Sequence, residues 1–131
     1  MHEILFRGKR VDNGEWIKGY YASIGKYHYI LTGRLELVPY LGFEHFLVNS
    51  EAIGRFTGLT DCNGVKIFEG DIIKYFDDWI GKIEYDSDSA LFTVSFVDGD
   101  YDNFWRISCG DCEVIGNIYD NPELLEVSKS D

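Results

Sequence analysis

The stretch FTGLTDCNGVKIFEGDIIKYF, residues 56–76, decides the fold of this chain. It places two turn sequences, TDCNG at 60–64 and EGD at 69–71, between short apolar runs, which is typical of strands joined by tight turns. The Asn-Gly pair of the first turn and the glycine of the second accept a positive φ at low cost. Asp71 is expected to hydrogen-bond the backbone of its turn. The stretch therefore predicts two turns that bracket two β-strands.

The composition of the whole chain favours the same class of structure. Its 131 residues suffice for one compact unit of two small lobes. Aromatic residues reach 16%, with three Trp, nine Tyr and nine Phe, and such residues favour strands, while 14 glycines supply turns. We expect a mainly β protein.

On the N-terminal side of the stretch, residues 3–9 and 15–22 predict a hairpin around the Val11–Gly14 turn, and residues 27–31 predict a third strand. Pro39 and Gly42 interrupt residues 34–46, which predict a loop with short strand pieces. Asn49 to Gly54 has the form of one helical turn, with a polar cap and a glycine stop. We expect an N-terminal β-hairpin and sheet lobe over residues 1–54.

On the C-terminal side, residues 81–85, 91–97 and 114–119 predict further antiparallel strands. The number of short strands after Gly70 is similar to SH3-like barrels, so residues 55–127 are expected to form such a barrel lobe. Asn121 and Pro122 predict a short C-terminal helical turn with the asparagine as its cap. Residues 128–131 are expected to fray.

The spacing TGL-x-D-x-NG-x-x-I-x-EGD resembles the YopX family, whose members are small bacteriophage and prophage proteins, and the resemblance continues to VIGNIYDNPELLE near the other end. The family has no assigned biochemical activity, so the resemblance implies an origin and a fold but no reaction. We expect structural roles for the motif residues, which are Thr57, Gly58, Leu59, Asp61, Asn63, Gly64, Ile67, Glu69, Gly70, Asp71, Gly116, Asn117, Asn121 and Pro122.

Net charge and cysteine count limit the function classes. A net charge of −11 disfavours direct binding to nucleic acid and to anionic membranes. No apolar run approaches the roughly 20 residues needed to cross a bilayer, and the N-terminus lacks the features of a signal peptide. Three cysteines without an export signal fit a reducing compartment. We expect the cytoplasm of a bacterial host.

Cys109 and Cys112 form a C-x-x-C pair, which has three interpretations. The favoured one is two reduced cysteines on either side of a Gly-Asp hairpin turn. A zinc site would need further ligands from Cys62 and one of the three histidines, and a redox pair would need the first cysteine at a helix N-terminus. No metal or cofactor is predicted.

Other polar groups give weaker signals. Residues 98–103 (DGDYDN) are similar to the start of a calcium loop, but position 6 is Asn103 and position 12 is Cys109, so a solvated acidic loop is expected. The acidic pairs at 77–78 and at Asp86 and Asp88 are expected to cap turns. His28 and His45 are expected to be structural hydrogen-bonders. No nucleophile or metalloprotease motif occurs, so no catalytic residue is predicted.

The aromatic residues of the N-terminal lobe are the candidate interaction surface. Strand alternation places Trp16 and Tyr20 on one face and Ile17 and Tyr21 on the other. These rings, with Tyr27 and Tyr29, are expected either to fill a core or to meet a partner. We expect a non-catalytic module that binds protein or associates with itself as a homo-oligomer, with an acidic DNA mimic acting on a host factor as the alternative.

Overall fold

The computed structural model describes residues 5–32, 44–76, 79–97, 101–103 and 109–126, and two antiparallel sheets account for most of them. The strands are β1 Phe6–Arg10, β2 Trp16–Ile24, β3 Tyr27–Thr32, β4 Glu44–Thr60, β5 Lys66–Phe68, β6 Asp71–Tyr75, β7 Trp79–Asp86, β8 Leu91–Phe96, β9 Tyr101–Asn103 and β10 Cys112–Asn117. Short 3-10 helices cover Cys109–Asp111 and Pro122–Leu125. The mainly β fold class is therefore confirmed.

The chain divides into two compact units, Met1–Phe56 and Thr57–Asp131. The boundary predicted from the sequence lies after residue 54. The division falls inside β4, whose first part pairs with β3 and β1 and whose last residues pair with β5. No helix in the described ranges is long and apolar enough to cross a membrane.

In the first unit the strand pairings close into a ring. β1 pairs with β2 and with β4, and β3 pairs with both β2 and β4, all antiparallel. Gly19 lets β2 approach β3 closely, because a Cβ there would lie 2.2 Å from the backbone oxygen of Leu31. Ile30 and Val48 are buried in this unit, and Tyr21, which is 37% exposed, has its ring 5.3 Å from that of Phe6. Closure removes the exposed strand edges that a small open sheet would present.

In the second unit the hydrogen-bonded order is β10-β6-β7-β8-β9. Its core consists of five buried side chains, with Tyr75, Phe92, Phe96 and Val114 packed against them. The buried members are Ile67, Ile73, Ile83, Val94 and Cys112. The described pairings do not confirm the SH3-like barrel, which stays a prediction. The closed ring lies instead in the N-terminal unit, where the sequence predicted a hairpin and sheet.

The predicted helical turn at Asn49–Gly54 is wrong, because these residues belong to β4. Gly8 of β1 pairs with Ile53 and Arg10 pairs with Val48, so the residues between Val48 and Ile53 form an irregularity opposite a single residue of β1. The side chain of Asn49 accepts a hydrogen bond from the Glu51 N–H at 2.9 Å. The local turn signal is thus present, but the ladder with β1 keeps the segment extended on both sides of it.

Two further local predictions differ from the structure. The predicted hairpin turn between the C-x-x-C cysteines is a 3-10 turn, Cys109–Asp111, that leads directly into β10. Asn121 precedes the C-terminal 3-10 helix but makes no side-chain cap, because its Oδ1 accepts a hydrogen bond from the Asn117 N–H at 3.2 Å. Residues 33–43 and 127–131, including most of the predicted loop and the tail, lie outside the described residues.

Candidate functional site

Asp61 joins the two parts of the sequence motif. Its Oδ1 accepts hydrogen bonds from the N–H groups of Asn63 (2.8 Å) and Val65 (2.9 Å), and its Oδ2 accepts one from the N–H of Val114 (2.9 Å). Burial raises the pKa of this carboxyl group, but the donors from Val114, Val65 and Asn63 outweigh burial and leave the pKa below its ordinary value. Asp61 is thus an ionised structural group that ties the first turn to β10.

The second turn is organised by Gly70 and Asp71. Gly70 has a φ of 93°, its N–H donates to the Ile83 oxygen at 2.8 Å, and its own oxygen accepts from the Ile118 N–H at 2.9 Å. Asp71 is buried and its Oδ2 accepts from the Phe68 N–H at 2.7 Å. The predicted positive φ and the predicted carboxylate–backbone hydrogen bond are both present. In the first turn Gly64 has a positive φ of 81°, whereas Asn63 does not.

Asn117 organises the C-terminal part of the motif. Its Oδ1 accepts hydrogen bonds from the N–H groups of Tyr119 (3.0 Å) and Asp120 (2.9 Å). Gly116 leaves space for Asn121, because a Cβ at Gly116 would lie 2.6 Å from the Asn121 Oδ1. Thr57, at the other end of the motif, donates from Oγ1 to the Ile67 oxygen at 2.8 Å. These polar side chains hydrogen-bond backbone groups. The motif residues described here therefore do not form a pair of nucleophile and general base.

The cysteines and acidic pairs form no cluster in the described part of the chain. Cys62 is exposed and Cys112 is buried, and their backbones meet through a 3.0 Å hydrogen bond from the Cys62 N–H to the Cys112 oxygen. No group of three or more His, Cys, Asp or Glu side chains that could hold a metal occurs among the described residues. Asp86 caps a turn as predicted, accepting from the Asp88 N–H at 3.1 Å. Residues 77–78 and 98–100 lie outside the described residues.

The described histidines contact aromatic side chains. His28 Nδ1 lies 2.5 Å from the Tyr21 hydroxyl oxygen, and the two rings are stacked with centroids 5.8 Å apart. His45 lies edge-on to Tyr29, also at 5.8 Å. His28 therefore acts as a structural hydrogen-bonder, as the sequence predicts.

Strand register brings apolar side chains together on one side of the β2-β3-β4 sheet, which we call the outer face. Ala22 pairs with Tyr29, which pairs with Leu47 in the next strand, so the three side chains share a face. The same alternation adds neighbours on each strand. The outer face comprises Tyr20, Ala22, Ile24, Tyr27, Tyr29, Leu31, His45 and Leu47.

Much of the outer face is accessible. Ile24 is 71% exposed, Tyr27 50%, Tyr20 42% and Leu47 38%. A groove of about 320 Å³ runs along it, lined by Ala22, Ile24, Tyr29, Leu31 and His45. Several exposed apolar side chains gathered on one side of a sheet are a feature of interaction surfaces.

The five predicted surface residues are not all on this face. Tyr20, Tyr27 and Tyr29 belong to it. Tyr21 lies on the opposite side, where it pairs with buried Ile30. Trp16 is half-buried, with the Arg7 guanidinium carbon 4.8 Å from its ring centroid. Sequence reasoning did not include Leu47 and His45 in this surface, because residues 34–46 predicted a loop and residues 49–54 a helical turn, so β4 could not be aligned with β3.

Charge is divided unevenly between the two units. Residues 57–131 contain 17 of the 23 acidic residues and five of the 12 basic ones, a net charge of −12. Residues 1–56 contain the other six acidic and seven basic residues, a net charge of +1. Counting charge separately for each predicted lobe would have found this asymmetry in the sequence. The acidic character of the chain is therefore a property of its second unit.

Comparison with known proteins finds one family model that matches most of the chain. The family model described as YopX protein matches residues 5–126. The crystal structure of protein EF1440 from Enterococcus faecalis is similar, with a TM-score of 0.59 and 24% sequence identity over 96% of this chain and 100% of that one. No curated protein matches the chain. The structural similarity bears on the fold alone.

Proposed function

This chain belongs to the YopX family, and we propose that it is a non-catalytic protein-binding module that associates with further copies of itself through the outer face. The observation that carries the proposal is the exposed apolar surface of Tyr20, Ile24, Tyr27 and Leu47 on one side of one sheet. Burying such a surface is favourable at roughly 25 cal/mol per Å². We place this activity in a phage or prophage protein in the host cytoplasm.

A symmetric pairing of two outer faces is the simplest arrangement, because a two-fold axis lets one patch cover its own copy. Tyr20, Tyr27 and Tyr29 suit an interface of this kind, since tyrosine offers a large apolar ring and a hydroxyl group that can stay hydrated. The polar side chains described above are engaged in turns, and this supports binding over catalysis.

The test is a charge introduced into the most exposed part of the outer face, at the turn between β2 and β3. Ile24→Lys and Tyr27→Lys change two directly paired positions. We expect each to weaken self-association at least about tenfold, because a charge is buried in the interface. Static light scattering measures the average molar mass of each variant, which is compared with the 15.1 kDa of the monomer.

Val65→Lys is the matched control, because Val65 is an exposed apolar residue of the second unit. It should associate like wild type. Unchanged association of both outer-face variants, with melting curves that match wild type, would assign the interface to another surface.

The charge of the second unit favours one further candidate function. The second unit, with a net charge of −12 over 75 residues, would present phosphate-like charge to a host DNA-binding protein. We propose this DNA mimicry as the alternative. In a gel shift, the chain should release DNA from its host target without binding DNA itself, and a direct shift of DNA by the purified chain would contradict it.

A further inference from the structure

Four aromatic rings of the second unit form a contiguous cluster, Tyr75, Phe76, Trp79 and Phe96. Ring centroids are 4.4 Å apart for Tyr75 and Phe76, 5.8 Å for Tyr75 and Trp79, and 6.4 Å both for Phe76 and Trp79 and for Trp79 and Phe96. Tyr75 and Phe96 are half-buried against the core of this unit. Phe76 and Trp79 remain 52% and 50% exposed. The cluster thus has a buried base and an open rim.

The strand register explains this arrangement. Tyr75 in β6 pairs directly with Trp79 in β7, and Phe96 in β8 pairs with Gly81 of β7. Because Trp79 and Gly81 are two residues apart, Tyr75, Trp79 and Phe96 share one face of the sheet. At the rim, the Phe76 and Trp79 rings are nearly perpendicular, at 81°. The cluster thus presents ring faces in two orientations at its rim.

Phe76 holds its place at an energetic cost. Its φ of 56° lies in the left-handed region, which a bulky residue rarely adopts, and its N–H is fixed by a 3.0 Å hydrogen bond to the Asp111 oxygen. A positive φ also occurs at Ala90, with a value of 58° in the turn between β7 and β8, so the conformation is a feature of the turn after β6. It holds the exposed Phe76 ring beside the ring of Trp79.

The negative charge of the second unit favours a positively charged ligand at these rings. The unit carries a net charge of −12, and the face of an aromatic ring attracts cations through its quadrupole. In the first unit Trp16 and Phe46 already hold this chain's own cations, with guanidinium carbons of Arg7 and Arg10 at 4.8 and 4.5 Å. In the described ranges no lysine or arginine of the chain is found over the Phe76 or Trp79 ring.

We propose that the exposed rim of the ring cluster formed by Tyr75, Phe76, Trp79 and Phe96 binds a lysine or arginine side chain from a basic segment of a partner protein. The rings take the cation and its aliphatic stem, and the acidic unit attracts the flanking positive charges of the segment. This inference does not depend on self-association through the outer face.

An oligolysine peptide is the probe, with the fully acetylated peptide as its uncharged counterpart. Isothermal titration calorimetry on the full chain at about 0.15 M salt measures both, because exposed charge attraction is already screened over about 8 Å there. We expect oligolysine to bind and the acetylated peptide not to bind. Equal binding of the two would overturn the proposal in favour of an apolar partner, and absence of oligolysine binding would also overturn it.

Two substitutions separate the rings from the overall charge. Trp79→Leu keeps an apolar side chain but removes the π face, and we expect it to weaken oligolysine binding at least about tenfold. Trp79→Phe keeps an aromatic face and should retain most of the affinity. Val65→Leu changes an exposed apolar side chain of the same unit that lies outside the ring cluster, so it is the control and should bind like wild type. Unchanged affinity in folded Trp79→Leu would show that charge alone attracts the peptide.

If Trp79→Leu fails to fold, the affinity of Trp79→Phe for a peptide that carries a stronger cation–π ligand, compared with that of wild type, replaces it as the test. Cation–π binding is strongest on tryptophan, so the phenylalanine variant should bind a trimethyl-lysine peptide more weakly than wild type does. Equal affinity in the two proteins would overturn the proposal.

Discussion

At the scale of single residues, the motif carboxylates connect segments that are distant in the sequence. Asp61 receives N–H groups from its own turn and from Val114, 53 residues further along the chain. A buried carboxylate with several donors is strongly favoured in its charged form. Its loss therefore removes both a turn and a long-range link.

Asp61→Asn should reduce the free energy of unfolding at pH 7 by about 1–3 kcal/mol, because hydrogen bonds to a charged group are lost. The pKa of Asp61 is lowered from 3.8 in the folded chain, so its contribution is present above that value and is lost as pH falls through the folded pKa. Urea denaturation at several pH values should show the two proteins converging in acid. Asp88→Asn, in an exposed turn, is the control, and a constant difference between Asp61→Asn and wild type at all pH values would contradict this account.

Gly70→Val should destabilise the chain by about 1–3 kcal/mol through backbone strain. Gly70 has a φ of 93°, and an added Cβ would lie 3.0 Å from Tyr119 Cε2. Gly64→Val is a matched control, because Gly64 has a φ of 81° and open space around its Cα. This variant therefore measures the cost of backbone strain without a steric clash. We expect Gly70→Val to be the less stable variant in thermal melts. A wild-type melting curve for Gly70→Val would remove the role assigned to this turn.

At the scale of elements, sequence patterns predicted the strands whose partners are close in the chain. β1 with β2 and β7 with β8 are hairpins, so alternation and turn residues in one window suffice to find them. β4 was missed because its partners, β1 and β3, lie outside any local window, and its Asn49 signal is that of a turn. Tertiary pairing overrode local propensity there.

The next prediction concerns metal binding by the two cysteines of the segment that runs from the Cys109–Asp111 turn into β10. Because the cysteines are expected to be reduced thiols, neither a chelator nor a reductant should change the melting temperature or the oligomeric state. Differential scanning calorimetry with and without EDTA measures it, with Cys112→Ser as a control for any chelator effect unrelated to the cysteines. A decrease of several degrees in wild type alone would establish a metal at Cys109 and Cys112.

At the scale of the whole molecule, the two units present different chemistry. The first has an apolar outer face and a net charge near zero, and the second is strongly acidic with a partly exposed cluster of aromatic rings. The aromatic content of the N-terminal lobe was visible in the sequence, and so was the total charge. Which rings share a face was not, because that depends on the register between strands.

The outer face is proposed to pack against another copy of the chain, and sedimentation equilibrium at low and high salt measures that association. Copies of net charge −11 repel one another at low ionic strength, and screening over roughly 8–10 Å weakens that repulsion. We therefore expect association at tens of micromolar protein that strengthens as salt rises. A monomer at both salt concentrations would contradict self-association through the outer face and would favour a host protein as the partner of that face.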